Sequence, residues 1–288
     1  MMGAVNATLL LGPDSAIGRE FGRAATECRC VFFVGPPGVG KSLMIQQFAL
    51  IAQQRGRSVH LVRWDVARRV FETHPGATHY PEVDGVTHPA IRWAAGLWVR
   101  DAVLRWQLDH PESADLLIGE APLVGNRFVE LAQPRDDRAE GLLRAAVTEF
   151  FVPVPSVAVR RSIQRSREAE LRQPRHEQER ANATPRLLTE LWQEVQRAGE
   201  GHGLPGVQLG RDYRPQTYAA VYGRLLHARR HTVLRIDELL PVEVSAQELG
   251  TVAGELIPSQ AKARQLLSEV DSCEPGELER AVLNWFRI

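Results

Sequence analysis

A glycine-rich segment holds the residues of this chain whose types and spacing point most directly to chemistry. Residues 31–42 read VFFVGPPGVGKS, and the spacing from Gly35 to Gly40, Lys41 and Ser42 satisfies the pattern G-x-x-x-x-G-K-[ST]. Because glycine adopts backbone angles that a Cβ forbids, successive N–H groups of such a loop can turn inward and form a nest for an anion. A helix beginning near Gly40 would add the positive end of its dipole at the same point. The segment therefore predicts a loop that binds the phosphates of a nucleotide.

The same pattern predicts which residues hold ATP and Mg²⁺. Lys41 is expected to bridge the β- and γ-phosphates, and the Ser42 hydroxyl to complete the ligand shell of the metal. The flanking sequence fits, because CVFFVG predicts a buried parallel strand and SLMIQQFALIAQQRG predicts a helix that ends at Gly56. The residues expected to contact ATP are consecutive: Gly35, Pro36, Pro37, Gly38, Val39, Gly40, Lys41, Ser42 and Leu43.

Composition indicates an ordinary globular protein. The chain has 288 residues, of which 44% are hydrophobic and 24% are charged, so it can bury a sizeable core. Lysine and arginine together number 35, as do aspartate and glutamate, so net charge favours neither nucleic acid nor a membrane surface as a partner. No signal peptide or membrane-length apolar run is evident, and three cysteines give no disulfide framework. We therefore expect a cytoplasmic protein.

Alternating strand and helix patterns predict the fold. After the first strand, strand patterns cover residues 57–65, 114–122, 150–155 and 231–239. Helical patterns cover residues 90–108, 141–149, 216–230, 245–257, 259–270 and 275–288. Such alternation is typical of parallel βαβ units. We expect an α/β three-layer sandwich with a mainly parallel five-stranded sheet over residues 1–240, followed by a helical C-terminal extension over residues 241–288 that packs on it.

Residues 156–186 form a segment that is rich in arginine and poor in large apolar side chains. Its arginines between positions 160 and 180 are Arg160, Arg161, Arg165, Arg167, Arg172, Arg175 and Arg180. Because burying unpaired charge is costly, the segment is either a solvated helix with Arg–Glu pairs or a lid that closes over phosphates. It directly follows the fourth strand and so leaves the edge of the sheet that carries the glycine-rich loop, which favours the lid. Arg161 and Arg165 would share one helical face, so we expect this pair to act in catalysis.

The order of these motifs resembles that of the P-loop nucleoside and nucleotide kinases, including zeta-toxin-like and sugar kinases. The resemblance covers about residues 30–240 and follows the order strand–GPPGVGKS–helix, strand–RWD–ARR, strand–GEAPLVGNRF, strand–VPVPS–arginine-rich helix. Only GPPGVGKS is a specific motif. The resemblance implies transfer of the γ-phosphoryl group of Mg-ATP to a small-molecule acceptor, such as a nucleotide, nucleoside or similar metabolite, beneath an arginine lid. A homodimer is compatible with it.

The resemblance also implies a role for Asp65, which follows the second predicted strand. Kinases of this kind often keep an acid there that orients the acceptor hydroxyl or takes its proton. Arg68 and Arg69 lie three and four positions further on and would form an anion clamp beside it. A local ion pair between Asp65 and these arginines is the alternative interpretation.

Glu120 ends the third predicted strand after LLIG and resembles the Walker B acid that holds Mg²⁺ through water. ATPase motors usually have Asp-Glu here, whereas this chain has Gly119-Glu120, which argues against a hydrolytic motor. The motor alternative has its own resemblance, because AIGREFGRAATECRC looks like the box ahead of the P-loop in AAA-type and STAND ATPases. A regulator that binds nucleotide without transfer chemistry is the third alternative.

Two further groups of residues are candidates for binding. Asn126 and Arg127, in LVGNRF, would contact the acceptor or its phosphate, or else simply begin a helix. His74, His79 and His88 lie in a loop rich in proline and glycine, without the spacing typical of a metal site. We expect this loop to cover the acceptor site rather than to bind a metal.

Overall fold

Six strands form one sheet, in which every pair of neighbouring strands is parallel. The computed structural model describes residues 8–83, 85–172, 185–240 and 252–287. The strands are β1 (Cys30–Val34), β2 (Ser58–Arg63), β3 (Asp115–Ala121), β4 (Thr148–Pro155), β5 (His231–Ile236) and β6 (Gly254–Glu255). Their order across the sheet is β5-β4-β1-β3-β2-β6. The predicted α/β class is confirmed, while the prediction of five strands is one too few.

Helices connect and follow the strands. They are α1 (Ala16–Glu27), α2 (Lys41–Gln54), α3 (Trp64–Glu72), α4 (Pro89–Asp109), α5 (Glu140–Arg144), α6 (Val157–Arg172), α7 (Pro185–Gly201), α8 (Pro215–Leu225), α9 (Gln260–Asp271) and α10 (Pro275–Leu283). Two short 3-10 helices, Pro75–Ala77 and Val129–Leu131, lie in the connections. Within the described ranges, every helix is too short or too polar to cross a membrane.

The side chains of β1 alternate between two buried clusters, one on each face of the sheet. On one face, the ring of Phe33 packs against Phe21 of α1 and Phe48 of α2, with centroids 5.7 and 5.8 Å away. On the other face, Phe32 stacks on Phe150 of β4 at 5.0 Å. A strand that is apolar on both faces must be covered on both sides, which explains why its whole CVFFV run is buried.

The parallel register brings the carboxyl ends of β1 and β3 to the same edge of the sheet. Phe33 lies opposite Glu120, and Val34 lies opposite Ala121. Because β1 continues from Val34 directly into the glycine-rich loop, Glu120 lies at the edge where this loop begins.

Two predicted boundaries are wrong in ways that matter for the site. The second strand ends at Arg63 and α3 begins directly after it, so Asp65 lies in the first turn of a helix rather than at a strand end. The helix predicted over residues 141–149 ends at Arg144. The strand β4 already begins at Thr148, because the run TEFFVPVP is buried along its whole length between β1 and β5.

The C-terminal region adds a strand to the sheet, whereas the sequence pattern predicts only helices there. The helix predicted over residues 245–257 is wrong at Gly254–Glu255, which pairs with β2. Without β6, the edge of β2 would leave backbone groups unpaired. The N–H groups of Ala253 and Leu256, on either side of β6, donate to the carbonyls of Val59 and Leu61 in β2 at 2.7 Å. Arg63 also donates two hydrogen bonds to the carboxylate of Glu255, at 2.7 and 2.8 Å. Residues 241–251 lie outside the described residues.

The last two helices agree with the sequence pattern. The Ser259 hydroxyl accepts a hydrogen bond from the backbone N–H of Lys262 at 3.2 Å and so caps α9. Leu267 of α9 and Trp285 after α10 belong to the same buried cluster as the apolar face of α4. Burial of these side chains holds both helices against α4.

Candidate functional site

The glycine-rich loop, residues 35–42, joins β1 to α2 at the carboxyl edge of the sheet. Gly35, Gly38 and Gly40 have φ angles of 138°, 84° and 86°, which side chains rarely allow. Gly40 is the N-cap residue of α2 and has no side chain to bond the first N–H groups of that helix. The loop thus combines left-handed glycines with the uncapped positive end of a helix, an arrangement suited to an anion.

Lys41 is buried at the start of α2, with 5% of its surface exposed. Its Nζ donates to the carbonyl of Pro36 at 3.1 Å and lies 3.4 Å from Oε1 of Glu120. The structure therefore brings together two residues that the sequence predicts separately. Ser42 follows in the first turn of α2 and is half-buried, as is Leu43.

Tyr218 of α8 lies against the glycine-rich loop and is not among the residues that the sequence predicts for the site. A Cβ at Gly35 would collide with its hydroxyl oxygen and lie 3.0 Å from Val39. The hydroxyl is fully buried and has no hydrogen-bond partner among the described residues. Burial raises the pKa of Tyr218 well above its ordinary value, so the hydroxyl keeps its proton and can donate a hydrogen bond to a ligand. Nothing in the run QTYAAVYGRLL separates this tyrosine from an ordinary core residue.

Asp65 lies in the first turn of α3, where 63% of its side chain is exposed. Arg68 donates to it at 3.0 Å, and also pairs with Glu72 at 2.8 Å and Glu82 at 3.3 Å. Arg69 is exposed on the same helix. This geometry matches the ion-pair alternative, and the role of Asp65 as a base stays a prediction.

The turn that follows β3, residues 123–128, has an unusual backbone. Three of its non-glycine residues, Leu123, Asn126 and Phe128, have φ angles near +60°, at 62°, 61° and 62°. Phe128 is the N-cap of the short 3-10 helix, so Asn126 and Arg127 do not begin a helix in the way the alternative interpretation requires. Both side chains are buried.

A second arginine joins Arg127 at this turn. Arg92 of α4 donates from Nη1 to the carbonyl of Gly125 at 2.8 Å, and Arg127 donates from Nη1 to the carbonyl of Val124 at 2.9 Å. We call Arg92 and Arg127 the arginine pair. Arg92 does not stand out in the sequence, because a cation in a long helical pattern is typical of a solvated face.

The described part of the arginine-rich segment is a helix that contacts the glycine-rich loop through apolar side chains. A Cβ at Gly40 would lie 3.9 Å from Ile163 of α6, and a Cβ at Gly38 would lie 3.6 Å from Leu188 of α7. Val159, one turn before Ile163, belongs to the buried cluster that contains α2. The apolar side of α6 therefore faces the loop.

The arginines of α6 differ in their surroundings. Arg160 is buried, with its guanidinium carbon 4.0 Å from the ring centroid of Tyr213 and 5.3 Å from that of Trp192. Arg161 and Arg165 are exposed, and helical spacing places them on the side of α6 away from the glycine-rich loop. Their contact with phosphate would need a movement of α6, so it stays a prediction.

A cavity of about 250 Å³ lies between α6 and α7. Its lining includes Arg160, Arg161, Gln164, Trp192 and Tyr213. The predicted lid also includes residues 173–184, with Arg175 and Arg180, which lie outside the described residues, as do the side chains of Arg167 and Arg172.

The three histidines between α3 and α4 have local hydrogen-bonding roles. Nδ1 of His74 accepts from the N–H of Gly76, and Nδ1 of His88 accepts from the N–H of Ala90 and caps α4. His79 pairs with Asp271 of α9 at 3.1 Å. Among the described residues, potential metal-ligand atoms converge instead at the opposite edge of the sheet, within 4.8 Å of one another, in His60, His110 and Asp115.

Comparisons of the chain with protein-family models, with curated proteins and with solved structures found no match in any of the three.

Proposed function

We propose that this chain is an ATP-dependent phosphotransferase with a P-loop NTPase fold, a three-layer α/β sandwich. It would move the γ-phosphoryl group of Mg-ATP to a small-molecule acceptor at the carboxyl edge of the sheet. The observation that carries the proposal is the ion pair between Lys41 and Glu120 beneath the uncapped N-terminus of α2. Phosphoryl transfer needs positioning and charge stabilisation, and these are the groups that supply both.

The residues present fit Mg-ATP. The loop glycines have the positive φ angles from which backbone N–H groups can bind phosphate oxygens, and Lys41 is a buried cation in the same segment. Ser42 and Glu120 offer a hydroxyl and a carboxylate, the hard oxygen ligands that Mg²⁺ prefers. The metal would neutralise charge that develops on the transferred group. Asp65 and the exposed arginines of α6 are the further candidates for work on the acceptor and the phosphates.

The packing around Gly119 supports transfer over hydrolysis. A Cβ at Gly119 would collide with the ring of Phe32, so the position where ATPase motors usually carry their first acid has no room for a side chain. Glu120 alone supplies a carboxylate from this pair of positions. A single acid can hold a metal, but it leaves no neighbouring acid to activate water.

The test measures the products formed from ATP in the presence of different acceptors. Purified protein with Mg-ATP is incubated with nucleosides, nucleoside monophosphates, sugars and sugar phosphates, and ADP and inorganic phosphate are measured separately. Transfer predicts acceptor-dependent ADP with little inorganic phosphate. Brisk release of inorganic phosphate without an acceptor would identify an ATPase, and ATP binding without any ADP would identify a nucleotide-dependent regulator.

A further inference from the structure

We propose that Arg92 and Arg127 bind an oxyanion carried by the acceptor, so that the acceptor is an anionic small molecule. That the bound molecule is a phosphate acceptor rests on the proposed function. The anion site itself rests on the geometry of the arginine pair. A Cβ at Gly125 would collide with Nη1 of Arg127 and lie 3.4 Å from Nη1 of Arg92. The two guanidinium groups therefore converge on one point from two separate elements, the turn after β3 and helix α4.

Two buried arginines elsewhere in this protein show what is missing at the pair, whereas the buried Arg160 packs against aromatic rings instead. Arg100 donates to the carboxylate of Asp137 at 2.6 Å, and Arg229 donates to Glu140 at 2.7 Å. The described residues provide no carboxylate within ion-pair distance of Arg92 or Arg127; their Nη1 atoms donate only to backbone carbonyls. A paired buried cation is common, whereas an unpaired one is costly.

Two N–H donors beside the unpaired charges also lack hydrogen-bond partners among the described residues. Nε of Arg92 and Nδ2 of Asn126 are both buried and have no partner among the described residues. Asn126 exposes only 2% of its surface, so bulk water does not replace the missing partner. The unmatched atoms are all N–H donors, which is the complement of an oxyanion.

Electrostatics supports this conclusion. Burial, and then repulsion from Arg127, lowers the pKa of Arg92 to about 9, and burial lowers the pKa of Arg127 to about 10. Glu194 acts favourably on both arginines from further away, whereas Asp65 acts favourably and Arg68 unfavourably on Arg127 alone. A bound oxyanion would neutralise the repulsion and accept the charge-assisted hydrogen bonds that these residues leave unmade.

Packed aromatic side chains link the arginine pair to the glycine-rich loop. Tyr222 donates to the carbonyl of Pro122 at 2.7 Å, directly before the turn that carries Arg127. Its ring packs against Tyr218 at 4.7 Å, and Tyr218 lies against Gly35. The pair and the loop thus occupy the same edge of the sheet, as an acceptor site and a phosphate site must do for transfer.

The test measures anion binding without relying on catalysis. Inorganic phosphate and acetate are titrated into wild type, Arg92→Gln and Arg127→Gln, and Tm and heat of binding are recorded. We expect at least one anion to raise the Tm of wild type, and each substitution to weaken its binding by ~10-fold or more, as loss of a charge-assisted bond does. Comparing phosphate with acetate shows whether the bound group is a phosphoryl or a carboxylate.

Two controls locate the binding. Arg105→Gln, on the exposed side of the same helix α4, should bind the anion like wild type. Lys41→Ala should keep the binding that depends on the arginine pair, whatever it loses at the glycine-rich loop, since the two are separate sites. If Lys41→Ala loses the anion while both glutamine variants keep it, the anion sits in the glycine-rich loop and the proposal is wrong.

A structural role makes a different prediction for stability. Because neither the buried Arg127 nor the half-buried Arg92 has a carboxylate partner among the described residues, both glutamine variants should keep or raise the Tm measured without anion. A lower Tm together with unchanged anion binding would show that the arginines only support the turn, and would overturn the proposal.

The acceptor class is tested by matched pairs of compounds, a nucleoside with its monophosphate and a sugar with its phosphate. ADP production with only the neutral members would defeat this inference and leave phosphotransfer intact. Anion binding that depends on the arginine pair, with no ADP from any compound, would defeat phosphotransfer and leave the anion site intact.

Discussion

Nζ of Lys41 lies 3.4 Å from Oε1 of Glu120, so the first residue of α2 and the acid near the end of β3 form one ion pair. Neighbouring parallel strands place the two residues at one edge of the sheet, although 79 positions separate them in sequence. A phosphate beside Lys41 and a metal beside Glu120 would share this pair of charges.

The first prediction concerns this ion pair. Lys41→Ala should lower the rate of acceptor-dependent ADP production by ~100-fold or more, because it removes a charge that stabilises the transferring group. The chain has one other lysine, Lys262, which pairs with Asp101 on α4. Lys262→Ala is therefore the matched control and should retain wild-type turnover. Equal turnover in the two variants would remove the glycine-rich loop from the mechanism.

The second prediction concerns Gly119, which stands where ATPase motors usually carry their first acid. Gly119→Ala should lower the free energy of unfolding by about 1–3 kcal/mol, because the new Cβ overpacks the ring of Phe32. Gly119→Asp should destabilise the protein further and should not create an efficient ATPase. Gly141→Ala in α5 is the control, since a Cβ there meets open space and replaces glycine in a helix. Urea denaturation of the three variants decides the point, and a stable, rapidly hydrolysing Gly119→Asp variant would contradict it.

A third prediction concerns the tyrosine beside the loop. Tyr218→Phe removes a buried hydroxyl without a partner, so stability without ligand should be unchanged or slightly higher. The affinity for ATP should fall about fivefold if the hydroxyl donates to a phosphate oxygen. Tyr222→Phe should behave in the opposite way, losing about 1 kcal/mol of stability with its bond to Pro122 and leaving ATP affinity unchanged. Calorimetric titration and denaturation of both variants separate the two roles.

The fourth prediction is a pH dependence of stability. Glu130 is buried, its Oε2 has no partner among the described residues, and burial raises its pKa from 4.5 to about 7. The folded state therefore binds this proton more tightly, and the contribution of Glu130 to stability falls as pH rises from about 4.5 to about 7. Glu130→Gln should be more stable than wild type at pH 8, by an amount on the order of 3 kcal/mol, and equally stable near pH 4. A variant that is less stable at pH 8 would show that the charged form is accommodated.

The fifth prediction concerns the lid. Replacing Arg161 and Arg165 together by alanine should lower kcat without changing the stability of the free protein, because both side chains are exposed there. Hydrogen exchange with and without a non-hydrolysable ATP analogue provides the second measurement. Protection of the α6 amides should rise on binding; equal protection in both states would identify a rigid surface helix.

The strand, glycine-rich loop and helix around Lys41 could be predicted from sequence because all the information is local. An apolar run, three glycines and a capless helix start lie within 25 consecutive residues, from Cys30 to Gln54. The strands that carry Glu120 and precede the arginine-rich segment were equally readable, since a strand buried on both faces is apolar throughout.

Arg127 could be singled out from sequence as a candidate for binding the acceptor or its phosphate, but its pairing with Arg92 could not, because the pair is recognised by what is missing around it. In sequence, Arg92 is one of several arginines in a long helix, and only the fold shows that no carboxylate of the described residues lies within ion-pair distance of it. Arg68 is the opposite case. The motif order suggests that it binds the acceptor, but in the fold it pairs with three carboxylates, at positions 65, 72 and 82. Burial and pairing are tertiary properties, and charge patterns alone do not reveal them.

The last strand of the sheet, β6, affects how the chain folds while it is being synthesised. β6 covers the edge of β2, and Arg63 is joined to Glu255 across 192 positions. On the ribosome, the edge of β2 therefore stays unpaired until Gly254 and Glu255 have emerged. Nascent or truncated chains that stop before Gly254 would expose that edge to other chains, so aggregation during expression should be the first symptom of losing the C-terminal region.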